Sequence, residues 1–343
     1  MGVIRDEARP TLEDVAAHAG VSRSTASRAL NEESYVSARS REKVLDSARE
    51  LGYSPNQAAR SLVTRRTNAV ALVLSEPETK FLEDPYFAEI VRGAFRQLSA
   101  LGSQMLMMLV DSEEDIPGTV RFLDGGHVDG ALIFASHQAD QLPAALRPLR
   151  LPMVYGGGRP GGAIRGLHLV DFDNTGGAKL AVEHLRSLGR KRIGTVTGPQ
   201  DQRSAVDRRT GWQQTLGLSD RAAARLAEEG DFTTEGGEQA MRRLLARVPN
   251  LDAVFVGNDP MAAGALRALQ TAGRRVPEDV ALVGFDDHPG LAEATNPPLT
   301  TVHQDPREQV RQMVATLQQL IDGDTPPPRR RVLPVRLVRR ASA

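Results

Sequence analysis

The chain has 343 residues, enough for two or three structural units with a sizeable core, and its 43 basic side chains are balanced by 43 acidic ones. That balance gives no global sign of a polyanionic partner. The absence of cysteine excludes a disulfide framework and thiol chemistry and argues against a zinc site. No apolar run approaches the roughly 18 residues of a membrane span. No secretion signal is recognisable ahead of residue 11, so the expected location is cytoplasmic, with no membrane partner.

Leu12, Val15 and Ala16 follow Thr11 at helical spacing, with Asp14 placed for a capping box, and Gly20 ends that helix. Ser22 caps a second helix whose inward face is Ala26, Ala29 and Leu30 and whose outer face carries Arg23, Ser24, Ser27 and Arg28. Two short helices around a glycine turn predict a helix-turn-helix. Arginine and serine suit guanine edges and phosphate oxygens in a major groove, whereas a plain helical cap would leave the same face to water. A third helix runs from Ser37 to Gly52 with Val44, Leu45, Ala48 and Leu51 as its apolar face. Ser54 and Pro55 announce a fourth helix of about eight residues. An isolated helix becomes marginal only at roughly 12–15 residues, so this one is expected to form when a partner supports it. Residues 1–66 carry eleven basic and nine acidic side chains, net +2, so affinity for DNA is expected to need two such units side by side.

The remainder alternates strand and helix. Strands are expected at Ala69–Leu74, Met105–Leu109, Ala131–Phe134 and Met153–Tyr155, with Glu76–Pro85 a polar loop. Helices are expected on the face Phe87, Ile90, Val91, Ala94, Leu98 and Leu101, at Thr119–Leu123 and at Leu142–Leu146. A second cycle places strands at Leu167–Val170, Ile193–Thr197, Ala253–Val256 and Val280–Phe285. Its helices are Thr175–Leu188, Ala205–Leu216, Glu235–Arg247 and Met261–Ala272. Thr300–His303, a helix over Arg307–Ile321 and a strand over Val332–Val338 complete the chain. This alternation predicts doubly wound parallel sheets.

The runs Thr11-Leu12-Glu13-Asp14-Val15-Ala16, Val21-Ser22-x-x-Thr25-Ala26-Ser27-Arg28-x-Leu30-Asn31 and Leu51-Gly52-Tyr53-x-Pro55-Asn56-x-x-Ala59-Arg60-x-Leu62 resemble the LacI/GalR family of transcriptional regulators. The likeness runs without a gap through the first unit and continues to the end of the chain. Ala26 departs from it, standing where the family more often has valine. The resemblance implies an all-α helix-turn-helix headpiece, residues 1–55, and a hinge helix and linker, residues 56–67. An α/β bilobed periplasmic-binding-protein-like core of two doubly wound parallel sheets would follow, residues 68–343. The lobes are expected at 68–165 plus 302–328 and at 166–301 plus 329–343. Arg23, Ser24 and Arg28 fall at the family's base-reading positions and Thr25 and Ser27 at its phosphate contacts; Asn31, Asn56 and Ala59 belong to the same DNA-binding motifs. Leu62 matches the leucine wedged into the minor groove, where two leucines from a homodimer would kink a pseudo-palindromic operator.

For the core, the resemblance and the strand ends together nominate Arg208, Phe232, Asn258 and Asp286, with Ser75 as a contact from the other lobe. One arginine, one carboxylate, one amide and one aromatic make a sensible sugar site, although each alone fits a cap, an ion pair or core filler. Tyr155-Gly156-Gly157-Gly158-Arg159-Pro160 stands where the family often has an acidic residue before an arginine, leaving that contact missing or supplied by Arg159. Phe81 could overhang the cleft and select a disaccharide, against the simpler reading of a solvated loop. Gly156-x-Gly158-x-x-Gly161 matches a dinucleotide fingerprint, but Pro160 interrupts it and no helix is expected to open there, so it reads as a glycine-rich turn. No phosphate loop, nucleophile elbow or histidine metal spacing is present, and Trp212 reads as core. The expected protein is a homodimeric sugar-released repressor with no catalytic residues, cofactor or metal. The alternatives are a corepressor-dependent regulator of purine type and a sugar-sensing solute-binding protein that does not bind DNA.

Overall fold

The computed structural model describes residues 10–30, 35–53, 66–134, 137, 139–158, 166–323 and 328–343. The chain divides after Thr67 into two compact units.

In the first unit, α1 (Leu12–Ala19), α2 (Arg23–Leu30) and α3 (Ala38–Glu50) pack on one another. The capping box at Thr11 is formed: the Thr11 N–H donates to Asp14 Oδ2 at 2.8 Å and the Asp14 N–H to Thr11 Oγ1 at 3.3 Å. Gly20 takes the left-handed conformation at φ +66°, which lets the chain reverse into α2 with no Cβ penalty. Ser22 Oγ accepts from the Thr25 N–H at 3.1 Å, capping the second helix. Val15, Ala16, Ala19, Ala26, Ala29, Val44 and Ala48 form the core, and their small side chains let three short helices approach closely. Leu45, expected to face inward, is 42% exposed. Ser47 is buried in α3 instead and pairs with His18 Nδ1 at 3.1 Å, a polar contact that apolar periodicity does not register. Asn31, the expected fourth helix and its Asn56, Ala59 and Leu62 lie outside the described residues.

The second unit holds two six-stranded sheets. Strands β1 (Ala69–Ser75), β2 (Gln104–Val110), β3 (Gly130–Phe134), β4 (Met153–Gly156), β5 (His168–Phe172) and β11 (Arg330–Leu333) pair in the order β11-β5-β4-β3-β1-β2, all parallel. Strands β6 (Ile193–Thr197), β7 (Ala227–Glu229), β8 (Ala253–Val256), β9 (Ala281–Asp286), β10 (Thr300–His303) and β12 (Arg336–Val338) pair as β12-β10-β9-β8-β6-β7, with β12 antiparallel to β10. Helices α4 (Glu78–Glu83), α5 (Pro85–Ala100), α6 (Ile116–Asp124), α7 (Leu142–Leu146) and α13 (Pro306–Asp322) accompany the first sheet. Helices α8 (Asn174–Ser187), α9 (Arg203–Leu216), α10 (Asp220–Leu226), α11 (Thr234–Arg247) and α12 (Asp259–Thr271) accompany the second. The central strands β1, β3, β5, β6 and β8 are buried along their whole length, as helices on both faces require. Trp212 is wholly buried and donates Nε1–H to the Ile193 carbonyl at 3.2 Å.

Several expectations are corrected here. The segment Glu76–Pro85 is not a loop: Pro77 and Pro85 bracket α4, and Asp84 caps α5 by accepting from the Tyr86 N–H at 3.0 Å. The lobes are not divided at residue 166, because β5 hydrogen-bonds into the first sheet between β4 and β11. Residues 302–303 belong to β10 of the second sheet, not to the first lobe. The expected strand Val332–Val338 is two strands, β11 in one sheet and β12 in the other, separated by two residues. The chain therefore crosses between sheets after β5, after β10 and after β11. Apolar patterning identifies a buried strand but carries no record of which sheet supplies its neighbour. Helix α10 and strand β7 have no counterpart among the sequence expectations.

Close packing between α11 and α12 depends on Gly264, where a Cβ would stand 1.9 Å from the Thr234 carbonyl oxygen. Gly264→Ala is therefore expected to push the helices apart and cost about 1–3 kcal/mol. Denaturant unfolding should show a lower midpoint with an unchanged m-value.

Candidate functional site

The carboxyl ends of strands from both sheets line one cleft of about 630 Å³, part of it open to solvent. Strand ends in parallel sheets present groups that the ladder leaves free for a ligand. Of the residues expected there, Arg208, Phe232, Asn258 and Asp286 line the cleft.

Arg208 is its polar centre. Helix α9 holds it 6% exposed, with Nε donating to Asn174 Oδ1 at 2.9 Å and Nη1 to the Gly257 carbonyl and to Asp286 Oδ1, the latter at 3.3 Å. Nη2 donates to Gln304 Oε1 at 3.4 Å, and the guanidinium lies 3.6 Å from the Phe285 ring centroid. Gln304 in turn donates to Asp286 Oδ1 at 2.8 Å. Asp286 ends β9 at φ +106°, a backbone conformation costly for any residue with a Cβ and the kind of strain that collects at functional sites. Burial raises the Asp286 carboxyl well above its usual range despite the opposing Arg208 charge, and burial likewise lowers the Arg208 guanidinium. The pair's mutual attraction thus does not offset its desolvation, and groups able to donate and accept, such as hydroxyls, complement it. Burial also pushes the neighbouring Asp171 carboxyl up to about 6.

Phe232 supplies an apolar platform. Its ring lies where a Cβ on Gly198 would stand, 2.1 Å from Cζ, so only glycine at 198 admits it. Its backbone is left-handed at φ +69°, held by Asn258 Nδ2, which donates to the Phe232 carbonyl at 3.0 Å. Asn258 Oδ1 meanwhile accepts from the Met261 N–H at 2.9 Å, capping α12. The Asn258 amide thus frames the site with one N–H and one lone pair, and its second N–H and second lone pair remain for a ligand in the cleft that it lines.

The other expected contacts fall elsewhere. Ser75 is buried at the end of β1, and the next residue, Glu76, lines the cleft, as alternation along an extended chain requires. Phe81 does not overhang the cleft. With residues 78–83 helical, Phe81 and Leu82 face an apolar groove with Val91, Phe95, Met105 and Met107, while Lys80 and Asp84 face the cleft. Lys80 Nζ stands 5.5 Å from the Phe232 ring centroid and 3.0 Å from Glu76 Oε2. Arg159 lies outside the described residues. Gly157 and Gly158 both adopt positive φ, at +80° and +112°. Sequence reasoning did not nominate Glu76, Lys80, Asp84, Asp171, Asn174, Gln202 or Gln304. A signal existed for three of them, because Glu76, Lys80 and Asp84 recur every four residues, with Pro77 and Pro85 directly following the first and the last.

In the first unit, α2 exposes Arg23, Ser24 and Arg28 and half-buries Thr25 and Ser27, leaving Ala26 and Ala29 inside. Arg23 Nε meets Glu13 Oε1 at 2.7 Å, with both side chains mostly in water, so a phosphate or base edge competes with a weak tether. Among the described residues, no group of three His, Asp or Glu side chains is placed to hold a metal ion. No helix among them is long and apolar enough to cross a membrane.

Residues 11–56 match the bacterial regulatory proteins of the lacI family, and residues 182–343 match the periplasmic binding protein-like domain. The HTH-type transcriptional regulator CelR of Thermobifida fusca is 44% identical over 335 residues, 97% of this chain and 98% of that protein. A solved complex of transcriptional regulator CelR with cellobiose superposes with a TM-score of 0.76 at 42% identity, covering 98% of this chain and all of the other. The lac repressor dimer bound to operator and the anti-inducer ONPF superposes with a TM-score of 0.83 at 31% identity, covering 97% and 98%.

Proposed function

The chain belongs to the lacI family of bacterial regulatory proteins, and from that premise we propose its effector and mode of action. It is a DNA-binding, sugar-responsive repressor and not an enzyme. Its effector is a neutral disaccharide, with cellobiose, the ligand of the CelR complex, as the first compound to test. The observation that carries this reading is the cleft's composition. Four carboxyl side chains, Glu76, Asp84, Asp171 and Asp286, stand against two cations, Lys80 and Arg208, beside the Phe232 ring. Such a lining disfavours phosphorylated sugars and nucleotides, while it offers paired donors and acceptors to hydroxyls and an apolar face to a sugar ring.

The repressor acts in the cytoplasm as a homodimer on a pseudo-palindromic operator, as in the lac repressor dimer on its operator. Arg23, Ser24 and Arg28 read bases, Thr25 and Ser27 hold phosphates, and Leu62 enters the minor groove. Phe95, Leu82 and Met107 form an exposed apolar face, 57%, 69% and 49% accessible, of the kind that pairs subunits. Effector binding closes the cleft and weakens operator affinity, and the operator must weaken effector binding by the same free energy.

Fluorescence anisotropy on a palindrome from upstream of the protein's own gene, at fixed salt, tests the reading. Cellobiose is expected to release the operator, whereas ribose and glucose 6-phosphate should not. Tighter operator binding with cellobiose would make it a corepressor instead. Tight binding unmoved by any neutral disaccharide would overturn the effector assignment and leave the DNA-binding one standing.

A further inference from the structure

We propose that His137 is a positioning residue of the cleft, clasping Glu76 of one lobe to Asp201 of the other and thereby setting Glu76 and Gln202 against the ligand. His137 follows β3, and Asp201 and Gln202 precede α9, so the contact spans the two sheets. His137 Nε2 lies 3.0 Å from Glu76 Oε2, and Nδ1 lies 2.6 Å from Asp201 Oδ2. The backbones of His137 and Gln202 also form an isolated antiparallel bridge, and Gln202 Nε2 donates to Glu76 Oε1 at 3.3 Å. Glu76 and Gln202 both line the cleft, at 4% exposure each.

Two carboxylates on one ring favour its doubly protonated state. A neutral imidazole has one N–H and one lone pair, so one ring nitrogen would face a carboxylate lone pair to lone pair. Only the doubly protonated ring donates to Glu76 and to Asp201 together. The groups facing the ring are Glu76, Asp201 and the Gln202 amide nitrogen, a donor 3.0 Å from His137 Nε2 that opposes the proton there, as does the Lys80 cation 3.0 Å from the same Glu76 oxygen. The hydrogen bond to Glu76 raises the His137 pKa above its ordinary value, against burial and Lys80. Burial pushes the Glu76 carboxyl up, but His137 and Lys80 outweigh it and leave it below its usual range. A group whose pKa is raised in the clasped form favours that form below its ordinary pKa and ceases to do so as pH rises through the raised value. The clasp therefore holds in acid and lets go in base, whichever sugar the cleft accepts.

The chain contains no cysteine, so spin labels on cysteines introduced at exposed Glu114 and Glu235, one in each lobe, report lobe separation without background. In the full-length protein without sugar, the inter-label distance is expected to be short at pH 6 and to lengthen by pH 9. His137→Ala should give the long distance at both pH values, and His137→Lys, which keeps a cation there, should keep the short one through the range. Asp201→Asn, at a side chain 53% exposed, leaves the fold intact and should move the transition to lower pH. A wild-type distance that does not change between pH 6 and 9, or a transition that Asp201→Asn leaves in place, overturns the proposal. None of these readings depends on a sugar, so they stand or fall apart from the effector assignment.

Discussion

Arg208→Met is expected to lower the stability of the core by about 3–5 kcal/mol and to abolish release of the operator by effector. The methionine stem can still pack on Phe285, but Asp286, Asn174, Gln304 and the Gly257 carbonyl all lose the donor that organises them. Asp286 then stands buried without its cation. Its carboxyl is already raised by burial, and removal of Arg208 takes away the charge that opposes the rise. A raised carboxyl stabilises the fold as pH falls through its folded value and loses that contribution as pH rises, so the deficit against wild type should grow from pH 5 to pH 8. Thermal unfolding across that range, together with calorimetric titration of cellobiose, checks both parts. A variant that unfolds like wild type at pH 8 would show that Asp286 finds another partner.

Gly198→Ala is expected to leave the protein folded and to weaken effector binding by one to two orders of magnitude. The added Cβ would stand 2.1 and 2.2 Å from two Phe232 ring carbons, and the ring cannot retreat freely because Asn258 holds its backbone carbonyl. Overpacking of this kind costs about 1–3 kcal/mol. Because the aromatic platform bears it, the loss should be read in ligand affinity, at about 1.4 kcal/mol for each factor of ten. Gly118→Ala in α6, where nothing lies within 4 Å of the added carbon, is the matched control and should bind effector normally. Equal affinities for the two variants would remove Phe232 from the effector site.

Much of this architecture was legible before any coordinates. The three headpiece helices and their caps follow from Thr11, Gly20, Ser22 and Ser37, because capping is local chemistry written within three or four residues. The strands Ile193–Thr197, Ala253–Val256 and Thr300–His303 and the helix Leu142–Leu146 have the expected bounds, since a strand or helix buried on its apolar face announces itself by composition and period. Arg208, Phe232, Asn258 and Asp286 were nameable for a related reason: each follows or ends a recognisable strand, or sits in a motif shared with a known family.

The tertiary structure decided whatever depends on partners distant in the chain. No local signal says that β5 and β11 pair with each other, 161 residues apart at Leu169 and Arg330 once register is set, while β12 two residues later joins the other sheet. The helix over Glu78–Glu83 is too short to stand alone and is stabilised by packing, so propensity could not separate it from a loop, and with that the facings of Lys80, Phe81 and Asp84 were lost. The hydrogen bond from the Asn258 amide to the Phe232 carbonyl, and the clasp of Glu76 and Asp201 by His137, join residues 26, 61 and 64 positions apart. Sequence by itself determined most of the elements and the three headpiece helices, because these rest on short-range chemistry, and the kind of protein followed from the family resemblance of its motifs. Only the folded chain decided which strands share a sheet and which polar groups meet across the cleft, because hydrogen-bond partners are chosen by proximity in space, which the linear order of residues does not contain.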